Sequence, residues 1–329
     1  MRDSVNRKGD AEMLVPASDR AVLLLKSDFG RGPQWLDAFA GLMPELEVRI
    51  WPQTGNPHEI EYALLWAPPA ELFDGLDRLQ VIFSVGAGVD SLLECPALPA
   101  QVPIVRMVEP ELTAGMVGYV LYQVLRFHRR MHRYQQQQQR RQWQELPQVP
   151  ASQTTVGIMG MGVLGARLAA QLRVLDYDVI GWSRTAKVMD GVRMFAGEHT
   201  LAEFLGQSDI LAVLLPLTGQ TRHIINRETL AMLPRGAFFI NVGRGGLVNE
   251  ADLVAALDSG QVEAAALDVF EVEPLPPNHL FWQHPAVTLT PHVASITHPP
   301  TAARFVAQGI ARQRAGKPLP YLVDRERGY

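Results

Sequence analysis

From Ala21 onward short apolar runs recur at regular intervals, "AVLLL", "VRIW" and "YALLW", separated by "GPQWLDAFAGLMPEL" and "PPAELFDGL". The runs have the length and composition of buried strands, and the intervening stretches have helical spacing or turn chemistry. A further run, "LQVIFSVGAGVD", ends a strand in a loop carrying Gly86 and Gly88, where backbone amides can come close to a ligand. Residues Thr113 to about Trp143 read as one long helix, with Met116, Val120, Val124 and Phe127 on one face. It ends in "RFHRRMHRYQQQQQRRQW", where Gln135 to Gln139 lie between basic clusters; this reads as a solvated helix face rather than a nucleic-acid arm. A second series starts at Thr154: "TTVGIMG", "YDVIGWS", "DILAVLLP", "AFFINVG", "AAALDVF" and "AVTLTPH" alternate with "GARLAAQLRVL", "TLAEFLG", "RETLAMLP" and "EADLVAALDSG". Such alternation predicts an α/β fold built on a doubly wound, largely parallel sheet covered on both faces. The stretch "HPPTAARFVAQGIARQRAG" reads as a last helix able to return to the first series.

A chain of 329 residues exceeds one comfortable core, so two domains, or one discontinuous pair, are expected. Its net charge of -4 gives no whole-chain field for nucleic acid or an anionic membrane, so an anionic ligand must be held by local groups. The single cysteine, Cys95, excludes a disulfide framework and reads as a small buried side chain. The first twenty residues are polar and lack the apolar core of a signal peptide, and no later run has the length of a membrane span. The expectation is a cytoplasmic protein with an amino-terminal extension.

Chemistry enters at "VGIMGMGVLGARLA", where Gly160, Gly162 and Gly165 form G-x-G-x-x-G between a strand and a helix. In that context the first glycine permits the tight turn, the second admits a pyrophosphate to the backbone, and the third lets helix pack on strand. The next strand ends in "GWSRTAK". An acidic residue there would bind both ribose hydroxyls of NAD and repel the extra phosphate of NADP. Ser183, Arg184 and Thr185, with Lys187 nearby, instead read as a 2'-phosphate pocket.

Three polar residues follow later strands: Arg244 in "INVGRGGLV", Glu273 in "LDVFEVEPLP" and His292 in "TLTPHVAS". Ligands bind at the carboxyl ends of such strands. Arg244 can hold a substrate carboxylate and polarise its carbonyl, His292 can supply a proton to the nascent alkoxide, and Glu273 can orient His292. His128, His132, His223, His284 and His298 show no equally placed acidic partner. No H-E-x-x-H or Cys/His cluster occurs, so no catalytic metal is expected.

From Ala21 to Tyr329 the chain resembles the D-isomer-specific 2-hydroxyacid dehydrogenases, through "GIMGMGVLG", "LLPLTGQTRHIIN", "FINVGRGGLVNEADLVAALDSG", "ALDVFEVEPLP" and "TPHVAS". It is most similar to their glyoxylate/hydroxypyruvate reductase branch, through "YALLWAPP", "FSVGAGVDS", "GWSRT" and "VDRERGY". The resemblance implies a cytoplasmic enzyme that uses NADPH, with NADH weaker, to reduce glyoxylate to glycolate and hydroxypyruvate to D-glycerate. It implies two Rossmann-like units: a discontinuous substrate domain, residues 1–110 and 296–329, around a dinucleotide domain, residues 111–295. It also implies that Val85, Gly86, Ala87 and Trp66 meet the substrate. Val163, Leu164, Leu215, Pro216, Thr221, Val242, Gly243 and Asp268 are the implied cofactor contacts, Asp268 at the nicotinamide carboxamide. Relatives dimerise through the dinucleotide domain and the long helix, so a homodimer is implied, with Trp143 either near a partner's active site or in packing. Two departures stand out: "AGMVGYVLYQVL" lacks an alanine-glutamate pair common among relatives, and Ser295 replaces the usual glycine after His292. For Asp324, Arg325 and Arg327 only carboxy-terminal docking is expected.

Two competing readings remain at this level. One is an NAD-linked dehydrogenase of lactate or phosphoglycerate type, against which "SRT" argues; the other is a non-catalytic dinucleotide-sensing protein that keeps the same triad.

Overall fold

The computed structural model describes residues 21–28 and 30–329; the expected amino-terminal extension, residues 1–20, lies outside the described residues. The first sheet holds β1 (Val22–Lys26), β2 (Glu47–Ile50), β3 (Ile60–Leu65), β4 (Val81–Ser84) and β5 (Ile104–Val105), in the order β2-β1-β3-β4-β5 and parallel throughout. Helix α1 (Gly32–Leu42) starts with Pro33 in its first turn and buries Trp35 and Phe39, four residues apart and so on one face. A single turn of helix, α2 (Asp90–Leu93), follows the loop after β4. Both faces of this sheet are covered: Leu23, Leu25, Tyr62 and Phe83 point to one core cluster, and Leu24, Ala63, Leu65 and Ile82 to the other. That alternation is the two-residue period of a strand buried on both sides.

Helix α3 (Pro110–His128) opens with Pro110 in its first turn, and the buried Glu109 side chain accepts from the Glu111 and Leu112 amides. The cap satisfies two of the four orphan donors of the helix start. The expected single helix to Trp143 is two: α3 ends at His128, Arg130 takes a left-handed conformation at φ 58, and α4 (Met131–Gln139) follows. The cause is tertiary. Arg130 turns back to pair with Glu263 and lies over the Phe238 ring at 5.2 Å, contacts that local spacing does not reveal.

The second sheet holds β6 (Thr155–Met159), β7 (Asp178–Ser183), β8 (Arg193–Ala196), β9 (Ile210–Val213), β10 (Ala237–Asn241), β11 (Val262–Leu267) and β12 (Val287–Leu289). Its order is β12-β11-β10-β9-β6-β7-β8, again parallel. Helices α5 (Val163–Val174), α6 (Leu201–Leu205), α7 (Arg227–Ala231) and α8 (Glu250–Asp258) connect its strands. The two expected α/β series are therefore both present; β5 and β8 are short edge strands that the apolar pattern does not mark. Strand order reverses between β6 and β9, which opens a crevice at their carboxyl ends. Helix α9 (Pro299–Arg314) returns to the first sheet, where Ala302, Ala303, Val306 and Ile310 share a core cluster with Trp35 and Phe39. No described helix is long and apolar enough to cross a membrane.

Candidate active site

A cavity of about 780 Å³ occupies the crevice. Its wall includes Gly160, Gly162, Val163, Leu164 and Gly165 after β6, Leu215, Pro216 and Thr221 after β9, and Val242, Gly243 and Arg244 after β10. The glycines have separate physical reasons. Gly160 adopts φ +111, and a Cβ there would stand 2.7 Å from Leu214 O. At Gly165 a Cβ would stand 2.1 Å from Gly160 O, so only glycine lets α5 pack this close. Gly162, with nothing within 4 Å of a built Cβ, leaves the start of α5 open to the cavity. A cradle in which side chains are excluded at two glycines, facing exposed amides at a helix start, fits a dinucleotide pyrophosphate.

The turn after β7 forms one end of the same cavity. Ser183 and Arg184 line it with Lys187, whose Nζ donates to Met161 O at 2.6 Å and so ties the turn to the glycine loop. The Ser183 hydroxyl is buried and donates to Thr185 O at 2.8 Å. Thr185 is exposed beside Arg184, and its carbonyl accepts the Ser183 hydroxyl.

Beyond the cavity's lining residues, next to the Trp66 ring that Arg244 also meets, His292 has φ 53, and its amide donates to Asp268 O at 2.8 Å. Its Nδ1 lies 2.7 Å from Glu273 Oε2, while Glu273 Oε1 accepts from the Phe270 amide at 2.9 Å. Burial pushes the Glu273 carboxyl up, but the hydrogen bonds from His292 and the Phe270 amide outweigh it and leave the group below the ordinary 4.5. Arg244 is held by Asp90, its Nε donating to both carboxylate oxygens at 2.9 and 3.0 Å, and one terminal nitrogen donates to Gly243 O at 2.8 Å. Trp66 meets both: its ring is 6.0 Å from His292, edge to face, and 5.7 Å from the Arg244 guanidinium carbon. Gly86 allows this, since a Cβ there would meet the Trp66 ring at 2.7 Å, and at Gly88 one would overlap the Arg244 guanidinium. Val85 O accepts from Thr297 at 2.6 Å, and Ala87 reaches the cavity wall.

Asp268 is not among the residues of the cavity wall. It is buried below the cavity and accepts from Thr290 Oγ1 at 2.6 Å and from the Val293 and Ala294 amides at 2.8 Å each. Burial raises its carboxyl above the ordinary value against these three donors. Its carboxylate thus pins the segment that carries His292. Three residues join the site that the sequence does not single out: Asp90, inside "GVDS"; Arg106, on the cavity wall; and Tyr329. Asp90 and Tyr329 are distant in sequence from Arg244 and Arg184, the residues they touch, so no local motif marks them. Five other histidines also have acidic neighbours, His58 with Asp77, His132 with Glu263, His223 with Glu271, His279 with Glu250 and His284 with Asp258. Trp143 is fully exposed.

Known proteins resemble the chain along most of its length. The sequence profile described as D-isomer specific 2-hydroxyacid dehydrogenase, NAD binding domain, matches residues 121–294. The chain is 42% identical to a D-isomer specific 2-hydroxyacid dehydrogenase from Xanthobacter autotrophicus Py2, solved with NADPH and MES, over 94% of this chain and 100% of that one, with a TM-score of 0.91. It is 40% identical to the NADPH-dependent glyoxylate/hydroxypyruvate reductase of Sinorhizobium meliloti, solved with NADP and sulfate, over 94% and 100% of the two chains, with a TM-score of 0.88. A probable 2-hydroxyacid dehydrogenase from Rhizobium etli CFN 42, solved with NADP, HEPES and L(+)-tartaric acid, is 38% identical over 94% and 99%, with a TM-score of 0.86.

Proposed function

The chain belongs to the D-isomer-specific 2-hydroxyacid dehydrogenase family, and from that premise we propose that it reduces glyoxylate to glycolate and hydroxypyruvate to D-glycerate. It is an NADP(H)-dependent oxidoreductase. The observation that supports the substrate reading is that Arg244, on the cavity wall, and His292, paired with Glu273, both meet the Trp66 ring. When bound, NADPH supplies a hydride to the carbonyl carbon of the keto acid.

The side chains account for the rest. Gly160, Gly162 and Gly165 hold the pyrophosphate, and Ser183, Arg184 and Lys187 receive the 2'-phosphate. Glu273 accepts a hydrogen bond from the Nδ1–H of His292 and so leaves Nε2 as the atom that gives a proton to the substrate oxygen, or takes one in the reverse direction. Arg244, steadied by Asp90, presents its remaining N–H groups beside the 85–89 loop, where a substrate carboxylate and carbonyl would be held. In this reading the described residues up to 110, with 296–329, form the substrate-holding unit and 111–295 the cofactor unit. The protein is taken to act as a cytoplasmic homodimer, with Tyr122 and Leu125 on α3 and Met131 on α4 as exposed apolar side chains for a partner to cover.

The test is the loss of NADPH absorbance with glyoxylate, hydroxypyruvate, pyruvate and phenylpyruvate in parallel, with NADH as the control cofactor. Fast turnover of the two small polar acids with NADPH is expected. Binding of NADPH without turnover of any keto acid would overturn the reading and favour a dinucleotide sensor.

A further inference from the structure

Arg184 is exposed at the mouth of the crevice and forms no ion pair or hydrogen bond among the described residues. Its guanidinium rests instead on the ring of Tyr329, 5.3 Å from the centroid, and Gly328 and Tyr329 line the same cavity as the glycine loop. The tail that carries this ring is firmly held. Leu322 bridges Val105 at the edge of the first sheet, and the Val323 amide donates to Ile104 O at 2.9 Å. Arg325 donates to Pro99 O and Val102 O at 2.7 and 2.6 Å. Asp324 then closes a tight loop, its carboxylate accepting from the Glu326 and Arg327 amides at 3.1 Å each and its carbonyl from the Gly328 amide at 2.9 Å. Gly328 takes φ +81 and passes so close to Thr218 that a Cβ would stand 3.2 Å from its methyl group. The sequence from Leu322 to Tyr329 thus spans from the first sheet to the cofactor crevice of the second.

We propose that Tyr329 is a specificity-determining residue for NADPH, which braces Arg184 for the cofactor's 2'-phosphate. The inference rests on the phosphate-pocket reading given above. An arginine on a surface turn samples many rotamers and loses that freedom when it binds an anion. An aromatic face holds the guanidinium by its flat side and leaves the N–H fork at its edge available to a phosphate. A carboxylate partner would hold the arginine equally well but would occupy that fork and repel the phosphate. NADH lacks the phosphate and gains nothing from the brace.

Calorimetric titration with NADP⁺ and NAD⁺, on the full chain and the variants Tyr329→Ala, Tyr329→Phe and Arg184→Ala, tests this without reliance on turnover. Tyr329→Ala should weaken NADP⁺ by about three- to tenfold and leave NAD⁺ within about twofold, the range of a partly exposed cation–π contact. Tyr329→Phe should retain the unsubstituted chain's ratio, since the ring rather than the hydroxyl acts. In the Arg184→Ala background, Tyr329→Ala should cost nothing more. Equal losses for both dinucleotides, an unchanged ratio, or a full additional loss without Arg184 would each overturn the proposal. If the unsubstituted chain itself fails to prefer NADP⁺, the phosphate-pocket reading falls, an outcome separate from a preference that survives Tyr329→Ala.

Discussion

At the scale of single residues, the site consists of charged groups whose partners decide their use. His292→Ala should lower kcat by about 10²–10⁴-fold while NADPH affinity, measured by fluorescence titration, stays near that of the unsubstituted protein. Near-normal turnover would remove His292 as the proton donor. Glu273 acts through His292, so Glu273→Gln should reduce kcat by about tenfold or more with a smaller change in KM. Its folded carboxyl lies below the ordinary 4.5, so its ionised form stabilises the fold above that value, and the contribution is lost as pH falls through the lowered one. The difference in Tm between the unsubstituted chain and Glu273→Gln should therefore be constant near neutrality and shrink only in that acid range. The order of Arg244, Glu273 and His292 after successive strands was readable in the sequence, because each follows an apolar run that ends at the crevice. Asp90 was not readable: an aspartate in a glycine-bearing loop has no period or motif that points to an arginine 154 positions away.

At the scale of elements, apolar periodicity marks nearly every strand and helix, since buried faces repeat every 2 or 3.6 residues. It misses the break at Arg130, where an interaction between distant elements decides the outcome. Glu263, at the start of β11, is the other half of that break. Burial pushes its carboxyl up, yet the hydrogen bonds from His132, Arg130 and Arg133 bring it down to about 2. A pKa below the unfolded value means stabilisation that is fully present above about 4.5 and lost as pH falls towards about 2. Glu263→Gln should destabilise the protein by roughly 1–3 kcal/mol at neutral pH, on the scale of a half-buried ion pair that loses one partner. Urea melts at pH 7 and pH 3 check this: the variant's deficit should be smaller at the lower pH, and a deficit that grows there would contradict the assignment.

At the scale of the molecule, two parallel sheets meet along a crevice whose cofactor end and reactive end lie on different strands. Glycine spacing made the cofactor end legible. The contact between Tyr329 and Arg184 was not, since it depends on where the last strand-edge bridge delivers the tail. Assembly is the remaining question at this scale. Under the proposed homodimer, Tyr122→Glu would place a charge among the exposed apolar side chains of α3 and α4, and light scattering should then show a shift from dimer to monomer; a dimer unchanged by the substitution, or a monomer without it, would overturn the proposed face. The chain leaves the first sheet near Leu112 and returns near Ser295, and there the Ser295 hydroxyl donates to Leu112 O at 2.5 Å. The 182 residues between those two positions thus begin and end at nearly one point. A segment with adjoining ends can be inherited, duplicated or exchanged as a cassette without rewiring its host. In evolutionary terms, such a cassette carries its own glycine loop together with Arg244, Glu273 and His292, while Trp66 and Tyr329 stay with the host.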